Sequence, residues 1–143
     1  MKSLKQYIEN AKHRGVALGH FNIAELSGFK AIVDSATELS LPVILGTSEG
    51  EREFLGAENA VSLVYNLREN HGLPIFLNAD HTYSLEKVKE AALLGYDSII
   101  FDGAKLPLEE NIRQTKEAVK IAKDINADII VEGELGYIGQ SSA

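Results

Sequence analysis

Leu77-Asn78-Ala79-Asp80-His81-Thr82-Tyr83-Ser84 lies near the middle of the chain and joins two different hydrophobic patterns. Before it runs Leu73-Pro74-Ile75-Phe76-Leu77, short, apolar and containing a proline near its start, which predicts a buried strand. After it, Ser84 starts a helical pattern, with Leu85, Val88 and Ala92 at helical spacing and Gly95 as the stop. Asp80 and His81 are therefore expected in the loop where a strand ends and a helix begins. In a βα barrel that end of each strand carries the chemistry. An imidazole can hold a metal, and a carboxylate beside it can move a proton. A plainer reading also fits the two residues: Asp80 caps the helix and His81 is a partly exposed loop residue.

Working outward, residues 3–14 predict a helix, with Ser3 and Gln6 at capping-box spacing and Leu4, Tyr7, Ile8 and Ala11 on one face. Residues 16–22 predict the first strand, and His20 within it reads as a hydrogen-bonded core histidine. A helix over 25–39 carries Leu26, Phe29, Val33 and Ala36 on one stripe, and 42–48 is the second strand. Residues 49–53 read as a charged loop, followed by a helix over 58–70 that His71-Gly72 closes. Past the central stretch, 97–103 predicts a fourth strand. Pro107 then begins a long helix at a position that suits proline, with Ile112, Thr115, Val119 and Ala122 on its inner face. Residues 127–132 predict a fifth strand, and Gly133-Glu134-Leu135-Gly136-Tyr137-Ile138-Gly139 leads into a tail containing Gly and Ser.

Strands alternating with helices imply parallel pairing and right-handed crossovers. Polar residues recur at five successive strand ends, Asn22, Ser48, Asp80, Asp102 and Glu134, one βα unit apart. In a barrel all five would converge on one mouth, and this favours an active-site reading of Asp80-His81. A doubly wound open sheet would bind its ligand through a Gly-rich first turn. Here that turn is Phe21-Asn22-Ile23-Ala24-Glu25, without glycine, so a TIM (β/α)8 barrel is preferred. Such a barrel takes roughly 250 residues. The 143 residues present supply about the first five βα units. Residues 1–143 are thus expected to be the N-terminal part of a single barrel domain, as a fragment or as one half of an assembled barrel with two open, apolar sheet edges.

Composition narrows the function classes. The chain is 45% hydrophobic, enough for one real core. It has no cysteine, hence no disulfide framework and no thiolate metal site, which fits a reducing, cytoplasmic setting. No signal peptide or membrane span is visible. A net charge of −7 without a basic patch argues against nucleic acid as a partner. The same charge means that a bound cation or local donor groups must offset an anionic substrate.

Phe21-Asn22, Pro42-Val43-Ile44 through Ser48, Asp80-His81, Ile100-Phe101-Asp102-Gly103 and Glu132-Gly133-Glu134-Leu135-Gly136 together carry a family resemblance. The chain resembles the N-terminal part of the class II, zinc-dependent ketose-bisphosphate aldolases, which act on fructose 1,6-bisphosphate or tagatose 1,6-bisphosphate. The resemblance implies a TIM-barrel lyase of carbohydrate metabolism and glycolysis, homo-oligomeric as a dimer or larger, that cleaves a phosphorylated ketose into dihydroxyacetone phosphate and glyceraldehyde 3-phosphate once its C-terminal part is present. It further implies that His81 is a ligand of Zn(2+), that Asp80 is the proton donor, and that Asp102 and Glu134 hold a second divalent metal or the zinc in a displaced position. Ser48 would contact the glyceraldehyde 3-phosphate end, and Asn22 would lie near the reacting carbons. Glu132 matches a position that can orient a ligand.

Three departures from the family pattern bear on the substrate. Asn78 stands where the family usually has histidine, Thr82 where it usually has a small residue, and Gln140-Ser141-Ser142-Ala143 lacks the family's acid. Plainer readings remain beside the implied roles. Asp102 is also a good turn residue, Ser48 a good cap, Asn22 a partner for backbone groups, and Glu134 a surface carboxylate. The alternative functions are a tagatose-bisphosphate aldolase and a non-catalytic half-barrel that needs a partner.

Overall fold

The computed structural model describes residues 2–136. The end of the run over 133–139 and the tail after it, residues 137–143, lie outside the described residues. The order of elements is α1 (Leu4–Arg14), β1 (Gly19–Asn22), α2 (Leu26–Glu38), β2 (Val43–Thr47), α3 (Glu49–Leu55) and α4 (Ala57–His71). Then come β3 (Ile75–Thr82), α5 (Leu85–Leu94), β4 (Ser98–Phe101), α6 (Leu108–Ile125) and β5 (Ile130–Gly133). All four strand pairings are parallel, and the sheet order is β1-β2-β3-β4-β5. Each strand lies next to its predecessor, as in the wall of a barrel, and the described residues supply five strands of that wall, the first four each followed by helix.

Strand alternation divides the sheet into two faces. Val43, Leu45, Ile75, Leu77, Ile99 and Phe101 share one face and form the core with Phe29, Val33, Ala60, Val64, Val88, Ala92, Ala118 and Ala122 from the helices. On the other face a polar row runs across the sheet through Asn22, Gly46, Asn78 and Ser98, paired in that order. Below this row Phe76 is covered by α1, with the Tyr7 ring 5.3 Å from its own. The polar row marks the lower boundary of the site.

Caps end the helices where the sequence predicts. The Ser3 N–H donates to Gln6 Oε1 at 3.0 Å, Ser84 Oγ accepts from Lys87 N–H at 3.2 Å, and Gly15, Gly72 and Gly95 close their helices in left-handed conformations. Pro107 occupies the N-cap of α6, one position before the expected one.

Several expectations differ. Residues 49–53 are not a loop but most of α3. Ser48 and Glu51 form a capping box, and Glu49 and Glu51 place negative charge in its first turn, where the helix dipole favours it. The third strand runs through Asp80 and His81 to Thr82, so these two residues close the strand and do not lie in a loop beyond it. His20 is exposed, not a core residue, because all of β1 stands open at the sheet edge. The buried stripe of α6 is Asn111, Ala118 and Ala122, with Ile112 and Val119 exposed. The rotation follows from Asn111, whose Nδ2 donates to the Glu134 carbonyl at 2.8 Å and turns that face inward. Leu26, expected in the α2 stripe, is also exposed.

Candidate active site

The five polar residues from successive strand ends meet at the C-terminal edge of the sheet. Asn22, the last residue of β1, donates through Nδ2 to Asp80 Oδ2 at 2.8 Å and to Glu51 Oε2 at 3.1 Å. One amide group thus holds two carboxylates. Glu51 Oε2 also accepts from the Ser48 N–H at 2.7 Å. The Ser48 hydroxyl accepts from the Glu51 N–H at 3.4 Å, so its oxygen caps α3 while its own hydrogen remains a donor.

His81 stands at the centre. Its Nδ1 lies 2.9 Å from Asp102 Oδ2 and 3.2 Å from Glu134 Oε2, and its Nε2 lies 3.8 Å from Asp80 Oδ1. Asp102 follows β4 and Glu134 follows β5, so three adjacent strand ends supply the group. The hydrogen bond that the His81 Nδ1–H donates to Asp102 is the main reason the imidazole holds its proton above the ordinary value of 6.5. Partial burial opposes this, and the charges of Asp80, Glu134 and Asp102 support it. The Tyr83 ring lies 6.4 Å from the His81 ring and nearly parallel to it. Burial is the main cause of the raised Tyr83 pKa, with the surrounding carboxylates adding to it.

The backbone at this point is unusual. His81 has φ +44°, in the left-handed region that non-glycine residues seldom adopt. The β3–β4 register shifts between Ala79 and Thr82, so Asp80 and His81 pair with neither neighbouring strand. Strain of this kind persists where the surroundings over-determine it. It swings the imidazole across to Asp102 and Glu134, where regular alternation would not aim it.

The donor set of one imidazole nitrogen and two carboxylate oxygens suits a divalent cation of the zinc type. These atoms of His81, Asp102 and Glu134 all lie within 4.8 Å of one another. Among the described residues they form the one such group. Asp80 sits beside the set, fixed by Asn22. Asn78 is buried; its Nδ2 donates to Ser98 Oγ at 2.8 Å, and its Oδ1 has no partner among the described residues. Glu132 is exposed and takes no part in these contacts.

Sequence reasoning missed Glu51, Glu49 and Arg52, all hidden in the supposed loop. Glu49 accepts from the Tyr83 N–H at 2.7 Å, and Arg52 is buried behind the site. The signal was present in Ser48-x-x-Glu51, a capping box directly after a strand.

Comparisons with known proteins place the chain in a family and agree with its fold. The family described as fructose-bisphosphate aldolase class-II matches residues 2–143. Fructose-bisphosphate aldolase of Staphylococcus aureus (strain Mu50 / ATCC 700699) is 37% identical over 140 residues, which span 96% of this chain and 48% of that protein. The corresponding protein of Streptococcus pyogenes serotype M1 is also 37% identical, with 96% and 47% covered. Among solved structures, the YdjI aldolase from Escherichia coli K12 superposes with a TM-score of 0.83 at 30% identity, covering all of this chain and 54% of that one. Fructose-bisphosphate aldolase from Campylobacter jejuni, at 23% identity, has the same fold with a TM-score of 0.82, over 98% of this chain and 47% of its own. The chain thus spans about half the length of the curated relatives it matches.

Proposed function

Because the chain belongs to the class-II fructose-bisphosphate aldolase family, we propose that it supplies the metal-holding half of an aldolase that reversibly cleaves a phosphorylated ketose. Fructose 1,6-bisphosphate is the substrate we assign, with dihydroxyacetone phosphate and glyceraldehyde 3-phosphate as products. The observation that carries this reading is the convergence of His81, Asp102 and Glu134 within 4.8 Å, with Asp80 alongside. In this reading His81, Asp102 and Glu134 hold a zinc ion or, for the two carboxylates, a second divalent metal.

Such an ion, when bound, supplies Lewis acidity at the ketose carbonyl and counter-charge for the electrons left by carbon–carbon cleavage. The chain's own residues do the rest. Asp80 transfers the proton at the aldehyde oxygen of the departing half through Oδ1, while its Oδ2 is held by Asn22. Asn22 thereby fixes the carboxylate's direction close to the reacting carbons. Ser48 offers its hydroxyl hydrogen to the glyceraldehyde 3-phosphate end. In this reading the enzyme works in cytoplasmic glycolysis as a homo-oligomer of two or more copies.

The test is a cleavage assay on the purified full-length enzyme that contains this half, with fructose 1,6-bisphosphate and, in parallel, tagatose 1,6-bisphosphate. Triose phosphate release that stops after chelation and returns with zinc is expected. A zinc-loaded preparation that cleaves neither sugar would overturn the reading. His81→Ala is expected to lose stoichiometric zinc, measured by elemental analysis of the folded variant.

A further inference from the structure

Arg52 is only 8% exposed, and burial is the main reason its guanidinium pKa falls below the ordinary value. A buried charge is retained only with hydrogen-bond partners of good geometry. Those partners are specific. Nη1 donates to the carbonyl of Thr47, the last residue of β2, and to the carbonyl of Asp80 at 3.2 Å. Nη2 donates to Thr82 Oγ1 at 3.1 Å. Thr82 in turn donates to the carbonyl of Ala79 at 3.2 Å. The hydroxyl of Thr47, on the same buried side, lies 3.0 Å from that of Tyr96.

These contacts bracket the irregular end of β3. Asp80 and His81 stand in neither strand register there, between the paired residues Ala79 and Thr82. The Asp80 carbonyl belongs to the Asp80–His81 peptide. Its orientation sets ψ of Asp80 and φ of His81, the +44° that carries the imidazole toward Asp102 and Glu134. Arg52 reaches this carbonyl from α3, away from Asn22, Asp102 and Glu134. A planar fork can hold acceptors on two strands at once, which the single ammonium of lysine does less well.

We propose that Arg52 is a positioning residue: it locks the Asp80–His81 peptide and through it aims the proton-transferring carboxylate and the metal-holding imidazole. The metal part of this inference rests on the function proposed above.

The experiment measures zinc affinity of the purified wild-type protein, Arg52→Ala and Arg52→Lys by competition with a chromogenic chelator, with urea unfolding on each sample to show that it is folded. Arg52→Ala is expected to bind zinc about 10–100-fold more weakly, as removal of an outer-shell partner does. Added guanidinium ion is expected to restore affinity, while sodium chloride at equal ionic strength does not. Arg52→Lys, which keeps the charge, is expected to fold where Arg52→Ala fails and still to bind more weakly than wild type. Unchanged affinity in either folded variant would overturn the inference. A wild-type protein that takes no zinc would instead sink the proposed function. The crystal structure of Arg52→Lys then decides the role of Arg52. His81 leaving the left-handed region supports the lock, and His81 remaining there refutes it.

Discussion

The proposed function divides roles between the sequence neighbours Asp80 and His81, and single substitutions should separate them. Asp80→Ala is expected to lower turnover of the ketose bisphosphate by about 10²–10⁴-fold while zinc stays bound, read from steady-state rates and elemental analysis of one sample. For His81, the imidazole pKa is raised above 6.5 in the folded protein, first by the Asp102 hydrogen bond. Its contribution to stability is therefore fully present below 6.5 and lost as pH rises through the raised folded value. In metal-free protein, urea unfolding of wild type and His81→Asn should differ more at about pH 6 than at about pH 9. An equal difference at both would contradict the pairing. The residue types at the five strand ends were readable from sequence because their spacing follows the βα repeat. The left-handed backbone at His81 was not, since no residue nearby is a glycine that would announce it.

The strand ends reach one place because β1 to β5 are laid down in order, and this was readable from alternating patterns alone. The details that failed depend on tertiary context. Residues 49–53 look like a solvated charge run until Ser48 is seen to cap them and Arg52 to turn inward. On the inner face of α6, Asn111 and Ala118 take the places expected of Ile112 and Val119, while Ala122 is buried as expected, and Asn111 bonds to the Glu134 carbonyl. Gly46 on β2 shows how closely the elements meet. A Cβ there would collide with Asn22 Oδ1 and His20 Nε2. Gly46→Ala is therefore expected to swing Asn22 off Asp80 and to reduce turnover more than zinc affinity. Both long side chains can move at the open sheet edge, so the variant should stay folded, as circular dichroism would report.

The core that carries the sheet is one apolar face against the helices, and its energetics are those of a close-packed interior. Leu45 is fully buried between β1, β3 and the helices, and Leu45→Ala should destabilise the protein by about 2–5 kcal/mol in urea unfolding. The polar face has a different logic. Its carboxylates crowd together at the mouth around His81 and Asn22, and a bound cation would offset their shared negative charge. Zinc at about 100 times its dissociation constant should accordingly stabilise the protein by about 2.7 kcal/mol, and chelation should remove that increment. One consequence reaches beyond catalysis. A position with φ +44° is, for folding alone, better served by glycine or asparagine than by histidine. In a deep mutational scan without metal, above the pH at which His81 loses its proton, these two replacements should rank among the most stable at site 81. The same scan under selection for activity should eliminate them. Under the proposed function, His81 is where robustness of the fold and fitness of the catalyst select opposite residues.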